Sequence, residues 1–160
     1  MLPDIHVTIT GYRKADIYLA NGWHDAMVSI SDPGGTKRGV LRTGRDLLLD
    51  FHDSWPQRGR KENGMATEDQ VCELISFAIA LPNNSRCLIH CGRGKSRSTA
   101  AALVVWAARN RGDAAEGAAV RQLFAQAPGS TPNGWVLTLA DQLMGTNLIA
   151  KCRRYRIKGD

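Results

Sequence analysis

Apolar residues recur along the 160-residue chain with two periods, two and about 3.6, and they alternate in blocks. Ile5-His-Val-Thr-Ile-Thr10 has period two and predicts a strand. Asp16 to Ala20 fits a short helix. Ala26-Met-Val-Ser-Ile30 reads as a buried strand ended by the turn residues Ser31-Asp-Pro-Gly-Gly35, and Leu47-Leu-Leu-Asp-Phe51 as another. Thr67-Glu-Asp-Gln70 has the form of a capping box, with Thr67 at the cap and Gln70 reaching back. Val71, Leu74, Ile75, Ala78 and Ile79 follow at the one-face spacing of an amphipathic helix that stops at Pro82-Asn-Asn84. Arg86-Cys-Leu-Ile-His90 is short, apolar and followed by glycines, as a central strand would be. Ser98 to Arg111 predicts a helix apolar on most sides and closed by Gly112. A further helix runs from about Asp113 to Ala127, and a last one from a cap at Asn133 to about Met144. This alternation predicts an α/β domain: a central, mostly parallel sheet flanked by helices in three layers, with a strand–loop–helix at its centre.

The polar stretch from Asp53 to Ala66, with Pro56, Gly59 and the cations Arg58, Arg60 and Lys61, predicts a surface loop. The length suits one domain over residues 1–160, ending in a basic tail at 151–160. A net charge of +6 favours anionic partners such as phosphates, nucleic acid or acidic lipid. The first residues lack a basic cluster followed by an apolar run, and the longest apolar run, Ala100–Ala108, is too short to span a bilayer. Cys72, Cys87, Cys91 and Cys152 have neither disulfide-scaffold density nor the paired spacing of a zinc site. Together these features predict a cytoplasmic protein with reduced thiols and no integral membrane segment.

The candidate chemistry sits in His90-Cys-Gly-Arg-Gly-Lys-Ser-Arg-Ser98. Gly94-Lys95-Ser96 resembles the end of a nucleotide-binding Walker loop, but that loop needs a glycine five positions before Gly94, where the chain has Ile89. Cys91, five residues and Arg97 fit a different phosphate cradle. A loop between a strand end and a helix start turns backbone N–H groups inward as an anion nest. Gly92 and Gly94 permit close backbone approach, and Arg97 can grip two phosphate oxygens with its planar fork. A cysteine in such a positive field is favoured as the nucleophilic thiolate.

His90-Cys91-x5-Arg97-Ser98 resembles the signature of the cysteine-dependent protein tyrosine phosphatases, closest to the dual-specificity branch and its compact bacterial relatives. The similarity runs from about Trp23 to Met144 and includes Thr131-Pro-Asn133, which resembles a Pro-Asn segment of that family. The resemblance implies Cys91 as nucleophile and Arg97 as phosphate clamp. It implies Ser98 as the hydroxyl that stabilises the departing thiolate, and His90 as a support of the loop. Gly92, Arg93, Gly94, Lys95 and Ser96 would complete the phosphate-binding loop, with no cofactor and no metal. His90 and Ser98 also have structural readings, as a strand-end histidine and a helix cap.

Expulsion of an alkoxide or phenoxide needs a proton, and the family draws it from an aspartate after an upstream strand. Asp53 is the choice because it lies past the strand end; Asp50, inside the apolar alternation, is the second candidate. The order Asp53-Ser-Trp-Pro56 departs from the Trp-Pro-Asp of the larger tyrosine phosphatases. His52 reads as exposed strand polarity, and Trp55 as a cover for the pocket or a packing residue. Phosphotyrosine, with phosphoserine and phosphothreonine beside it, is the expected substrate class. Arg93 and Lys95 keep a phosphoinositide open, the basic tail keeps acidic lipid or an RNA 5′-phosphate open, and a phosphate-binding module without turnover is the rival outside enzymes.

Overall fold

The computed structural model describes residues 5–35 and 45–159. The beginning of the segment inspected for a leader, residues 1–4, lies outside them. In chain order the elements are β1 (Ile5–Gly11), α1 (Tyr12–Ala20), β2 (Ala26–Ser31), β3 (Asp46–Asp50), α2 (Glu68–Ala80), β4 (Ser85–Cys91), α3 (Arg97–Arg109), α4 (Asp113–Gln126), α5 (Gly134–Met144) and α6 (Leu148–Lys158). The four strands form one sheet in the order β1-β4-β2-β3, every pair parallel. The expected three-layer α/β architecture is what the chain adopts.

The register explains why β4 is buried from Cys87 to Cys91. It pairs with β1 from Ile5↔Ser85 to Gly11↔Cys91 and with β2 from Ala26↔Cys87 to Ser29↔His90, so it has neighbours on both edges and helices on both faces. A strand so enclosed reads as a continuous hydrophobic run rather than an alternation. On one face Ala15 of α1 meets Met27 and Leu88. On the other, the main core joins the sheet to α2, α3, α4 and α5. Helix α3 is buried along almost its whole length, from Arg97 to Ala108. Five of its positions are alanine, which lets it lie close to β1, β4 and the surrounding helices.

The capping box of α2 forms: Thr67 Oγ1 accepts from the Gln70 amide at 3.2 Å, and Gln70 Oε1 accepts from the Thr67 amide at 3.0 Å. Val71, Leu74 and Ala78 form its buried face, but Ile79 is exposed. Eight residues of helix overshoot two turns, so Ile79 has rotated off the face that Val71 begins. Helix α3 begins at Arg97 and ends at Arg109, ahead of the expected Gly112. Gly112, with φ +107°, instead precedes α4.

The basic tail requires correction. Residues 151–158 belong to α6, which begins at Leu148. Leu148 and Cys152 are buried, Tyr155 stacks on Phe124 at 4.8 Å between centroids, and Arg156 donates to the Ser130 carbonyl at 2.9 Å. The charges hid the helix because its apolar contacts come from only a few positions among basic ones. Among the described residues, no helix is long and apolar enough to cross a membrane.

Leu103, fully buried at the centre of α3, tests this core. Leu103→Ala is expected to lower unfolding stability in urea by about 2–5 kcal/mol through lost contacts and a residual cavity, while Ile79→Ala on the exposed side of α2 changes it by less than about 1 kcal/mol.

Candidate active site

The carboxyl end of the sheet carries the candidate site, because β4 runs into the loop of residues 92–96, the expected phosphate loop, and the loop into α3. Parallel sheets place ligand crevices at this end of their strands. Cys91, the last residue of β4, is buried, with Sγ 3.1 Å from Ser98 Oγ and 3.3 Å from the Gly94 amide, which donates to it. Ser98 is itself fully buried and does not cap α3, for which the cap position is Ser96. Burial pushes the Cys152 thiol up to about 11 and the Cys87 thiol higher still, so neither ionises near neutrality.

The loop is wired by its carbonyls. Gly92 O accepts from the Tyr12 amide at 3.3 Å, Lys95 O from the Thr131 amide at 2.7 Å, and Ser96 O from the Asn133 amide at 3.1 Å. Thr99 Oγ1 donates to both the Lys95 and Ser96 carbonyls at 2.9 Å. In a planar trans peptide the next residue's N–H points opposite the carbonyl. Carbonyls held by α1 and residues 131–133 therefore turn the amides of Arg93, Ser96 and Arg97 away from those segments. No acidic residue stands in the first turn of α3, and Ser96 makes no side-chain cap.

Gly94 has φ +73°, and a Cβ there would stand 2.5 Å from Thr10 C and 2.6 Å from Gly11 N. Its constraint is thus the end of β1 pressed against the loop, in addition to the approach of a phosphate. Gly11 is pressed in return: a Cβ on it would lie 3.0 Å from Gly92 O. A Cβ at Gly92 would meet only Arg97 Nη2, at an ordinary 3.5 Å.

Arg97 is nine-tenths buried. Its Nη1 donates to Asp32 Oδ1 and to the Phe51 carbonyl, each at 2.8 Å. Asp53 lies beyond the end of β3 with Oδ1 accepting from Ser96 Oγ at 2.6 Å and from Asn133 Nδ2 at 2.8 Å. Asn133 Nδ2 also reaches Ser54 O at 3.2 Å, while its Oδ1 caps α5 by accepting from the Val136 amide. Asn133 thereby joins the loop carrying Asp53 to the phosphate loop and to α5. The far end of residues 53–66 is fastened where Trp135 Nε1 donates to Ala66 O at 2.9 Å and His52 N to Gly64 O at 2.6 Å.

A cleft of about 1240 Å³ opens over these groups, lined by Cys91 to Arg97, Asp53, His52 and Asp32. The start of α1 adds Tyr12, Arg13 and Lys14, and Gly129 to Thr131 form part of its wall. Cys91, Gly92, Arg93, Gly94, Lys95, Ser96, Arg97 and Asp53 are thus brought together. Ser98 lies behind the sulfur, and His90 is buried in β4 below it. Asp50 ends β3, exposed and outside the cleft lining; Trp55 is exposed and also outside it. Arg93 and Lys95 are both exposed at the cleft. Asp32, His52 and the α1 start were not among the predicted site residues. Only the turn at Ser31–Gly35 hinted at Asp32, by ending a strand where parallel sheets bind ligands. Among the described residues, no group of three His, Cys, Asp or Glu could hold a metal ion.

No protein-family model and no curated protein matches the sequence. Solved structures do match. Human DUSP28 is 19% identical over 87% of this chain and 88% of that one, with a TM-score of 0.57. The human tyrosine phosphatase-like serine/threonine/tyrosine-interacting protein is 14% identical over 87% of this chain and 91% of its own, with a TM-score of 0.63. The Yvh1 phosphatase domain from Chaetomium thermophilum is 17% identical over 91% of this chain and 94% of its own, with a TM-score of 0.57. The chain has the fold of the dual-specificity phosphatases. At 87% or more of the chain, the likeness is longer than the 23–144 span suggested by sequence.

Gly94→Ala is expected to distort the phosphate loop, lowering the melting temperature and removing inorganic-phosphate binding in calorimetry, whereas Gly92→Ala keeps the melting temperature close to wild type. A non-glycine residue at positive φ costs about 1–2 kcal/mol before the collision with Thr10 is counted.

Proposed function

We propose that the chain is a cysteine-dependent phosphomonoesterase of the protein tyrosine phosphatase superfamily, acting on phosphotyrosine and, through an open cleft, on phosphoserine and phosphothreonine. The observation that carries this is the convergence of Cys91, the loop residues 92–96, Arg97 and Asp53 on one cleft. The fold of the dual-specificity phosphatases supports it.

In this reading the Cys91 thiolate attacks phosphorus in line, forming an S–P bond as the P–O bond to the leaving group breaks. The loop amides and Arg97 bind the equatorial oxygens, where charge must be held through the transition state. Asp53 passes its proton to the departing oxygen. In the second step Asp53, now a carboxylate, takes a proton from water, whose oxygen attacks phosphorus. The S–P bond breaks, inorganic phosphate leaves, and Ser98 Oγ, 3.1 Å from Sγ, donates to the returning thiolate. His90 supports the loop from β4. No metal or cofactor takes part.

A second reading is a module that captures a phosphate without turnover; one of the structural neighbours is itself named phosphatase-like. The presence of both Cys91 and a carboxylate held over the loop favours turnover. A phosphoinositide retains Arg93 and Lys95 at the cleft; comparing release from a soluble inositol-phosphate headgroup with release from a phosphotyrosine peptide decides between them, and the peptide is expected to be preferred.

Hydrolysis of an aryl phosphate is expected to persist in EDTA and to vanish in Cys91→Ser; loss on chelation, or activity in the serine variant, would overturn the mechanism. Asp53→Ala is expected to slow a phosphate ester with a poor leaving group by about 10²–10⁴-fold and an activated aryl ester far less. Asp50→Ala is expected to match wild type on both, and a leaving-group-dependent loss there would move the acid to Asp50.

A further inference from the structure

We infer that Asp32 is a positioning residue for Arg97, holding the guanidinium so that its Nε–Nη2 edge is presented to the phosphate. The inference rests on the phosphatase reading for its consequence in turnover, but its geometry is independent of it. A guanidinium carries five N–H donors, one on Nε and two on each terminal nitrogen. Both hydrogens of Nη1 have partners, Asp32 Oδ1 and Phe51 O, each at 2.8 Å. Nε is buried and has no hydrogen-bond partner among the described residues. A buried donor with no partner is uncommon in a folded protein and calls for a reason. Here the reason is at hand: Nε–H and the nearer Nη2–H are parallel and form the edge that pairs with two oxygens of an oxyanion. Tethering Nη1 from behind fixes the plane of the fork before the anion arrives.

The tether is well built for that task. Asp32 directly follows β2, and its carbonyl accepts from the Gly35 amide at 2.8 Å, closing the Asp32–Gly35 turn. Phe51 lies one residue past β3, and its amide donates to Ser31 O at 3.0 Å. The two acceptors on Nη1 are therefore fixed to each other through the ends of two adjacent parallel strands. His52 Nδ1 lies 3.7 Å from the same Asp32 oxygen, on the exposed side. A carboxylate at the mouth of an anion site repels the substrate, so Asp32 must act by geometry and not by its charge. Its Oδ1 acceptor is the part that matters, and asparagine retains it.

The experiment compares wild type, Asp32→Ala and Asp32→Asn in two readouts: inorganic-phosphate binding by titration calorimetry, and the KM and kcat for an aryl phosphate. For Asp32→Ala, phosphate affinity is expected to fall and KM to rise by about tenfold, the low end for a hydrogen bond to a charged group with a mostly exposed partner, with kcat falling less. Asp32→Asn is expected to stay within about threefold of wild type. Unchanged or tighter phosphate binding in Asp32→Ala overturns the inference, the tighter result identifying a blocking group. An equal loss in Asp32→Asn, with a melting temperature matching wild type, overturns it as well, because the acceptor is then not what counts. Phosphate binding by wild type without turnover would sink the phosphatase reading and leave Asp32 testable; turnover with no Asp32→Ala effect would do the reverse.

Discussion

The outward anchoring of three carbonyls in the loop after β4 governs this structure. Gly92, Lys95 and Ser96 each give their carbonyl to a partner outside the loop. Because the peptide unit is rigid, the amides that follow turn away from those partners. The partners come from distant parts of the chain: Tyr12 at the start of α1, and Thr131 and Asn133 ahead of α5. The direction of these amides is a property of the packed domain, since an isolated peptide of the same sequence would have water at those carbonyls and no fixed amide direction. The two glycine contacts with β1 belong to the same device, for they let the Tyr12 amide come close enough to reach Gly92.

The acid side is joined to the same frame. Asp53 bonds to Ser96 of the loop and to Asn133, and Asn133 also holds Ser54 and caps α5. Arg97 reaches the root of the same segment through the Phe51 carbonyl. Cys91, Arg97 and Asp53 are therefore joined through one hydrogen-bonded unit. Preorganisation of this sort is what lets fixed dipoles act at full strength when charge develops. The sequence distance is large, with Asp53 and Asn133 80 residues apart.

The cleft is rich in cations. Arg13 and Lys14 at the start of α1 and Arg93 and Lys95 on the loop line it together with Arg97, while its carboxylates, Asp32 and Asp53, are both engaged within the protein. The net charge of +6 is thus expressed in part where an anionic ligand would approach. The basic residues of α6 serve a different end in part, as Arg156 holds the Ser130 carbonyl beside the cleft wall.

Local pattern was enough to read most of the fold. Periodicity found all four strands and the helices α2 to α5, because each buries one face or is enclosed entirely, and burial dictates residue type; of α1 only Asp16–Ala20 was read, since its one buried residue is Ala15. Cys91 and Arg97 stood out for another reason: they flank one loop at the five-residue spacing that a thiolate phosphate cradle would need. Asp53 was legible only as a position past a strand end, and its bonds to Ser96 and Asn133 were not. Helix α6 was missed because its few apolar contacts lie among basic residues that resemble a solvated terminus. Asp32 was missed because nothing in a short Asp-Pro-Gly-Gly turn says what stands beside it; only the pairing of β2 between β3 and β4 brings it to Arg97. The sequence by itself determined which segments are buried and where Cys91 and Arg97 stand on the strand–loop–helix. Tertiary structure alone decided which way the amides face and which carboxylate meets which cation, because those depend on contacts between residues that the chain keeps far apart.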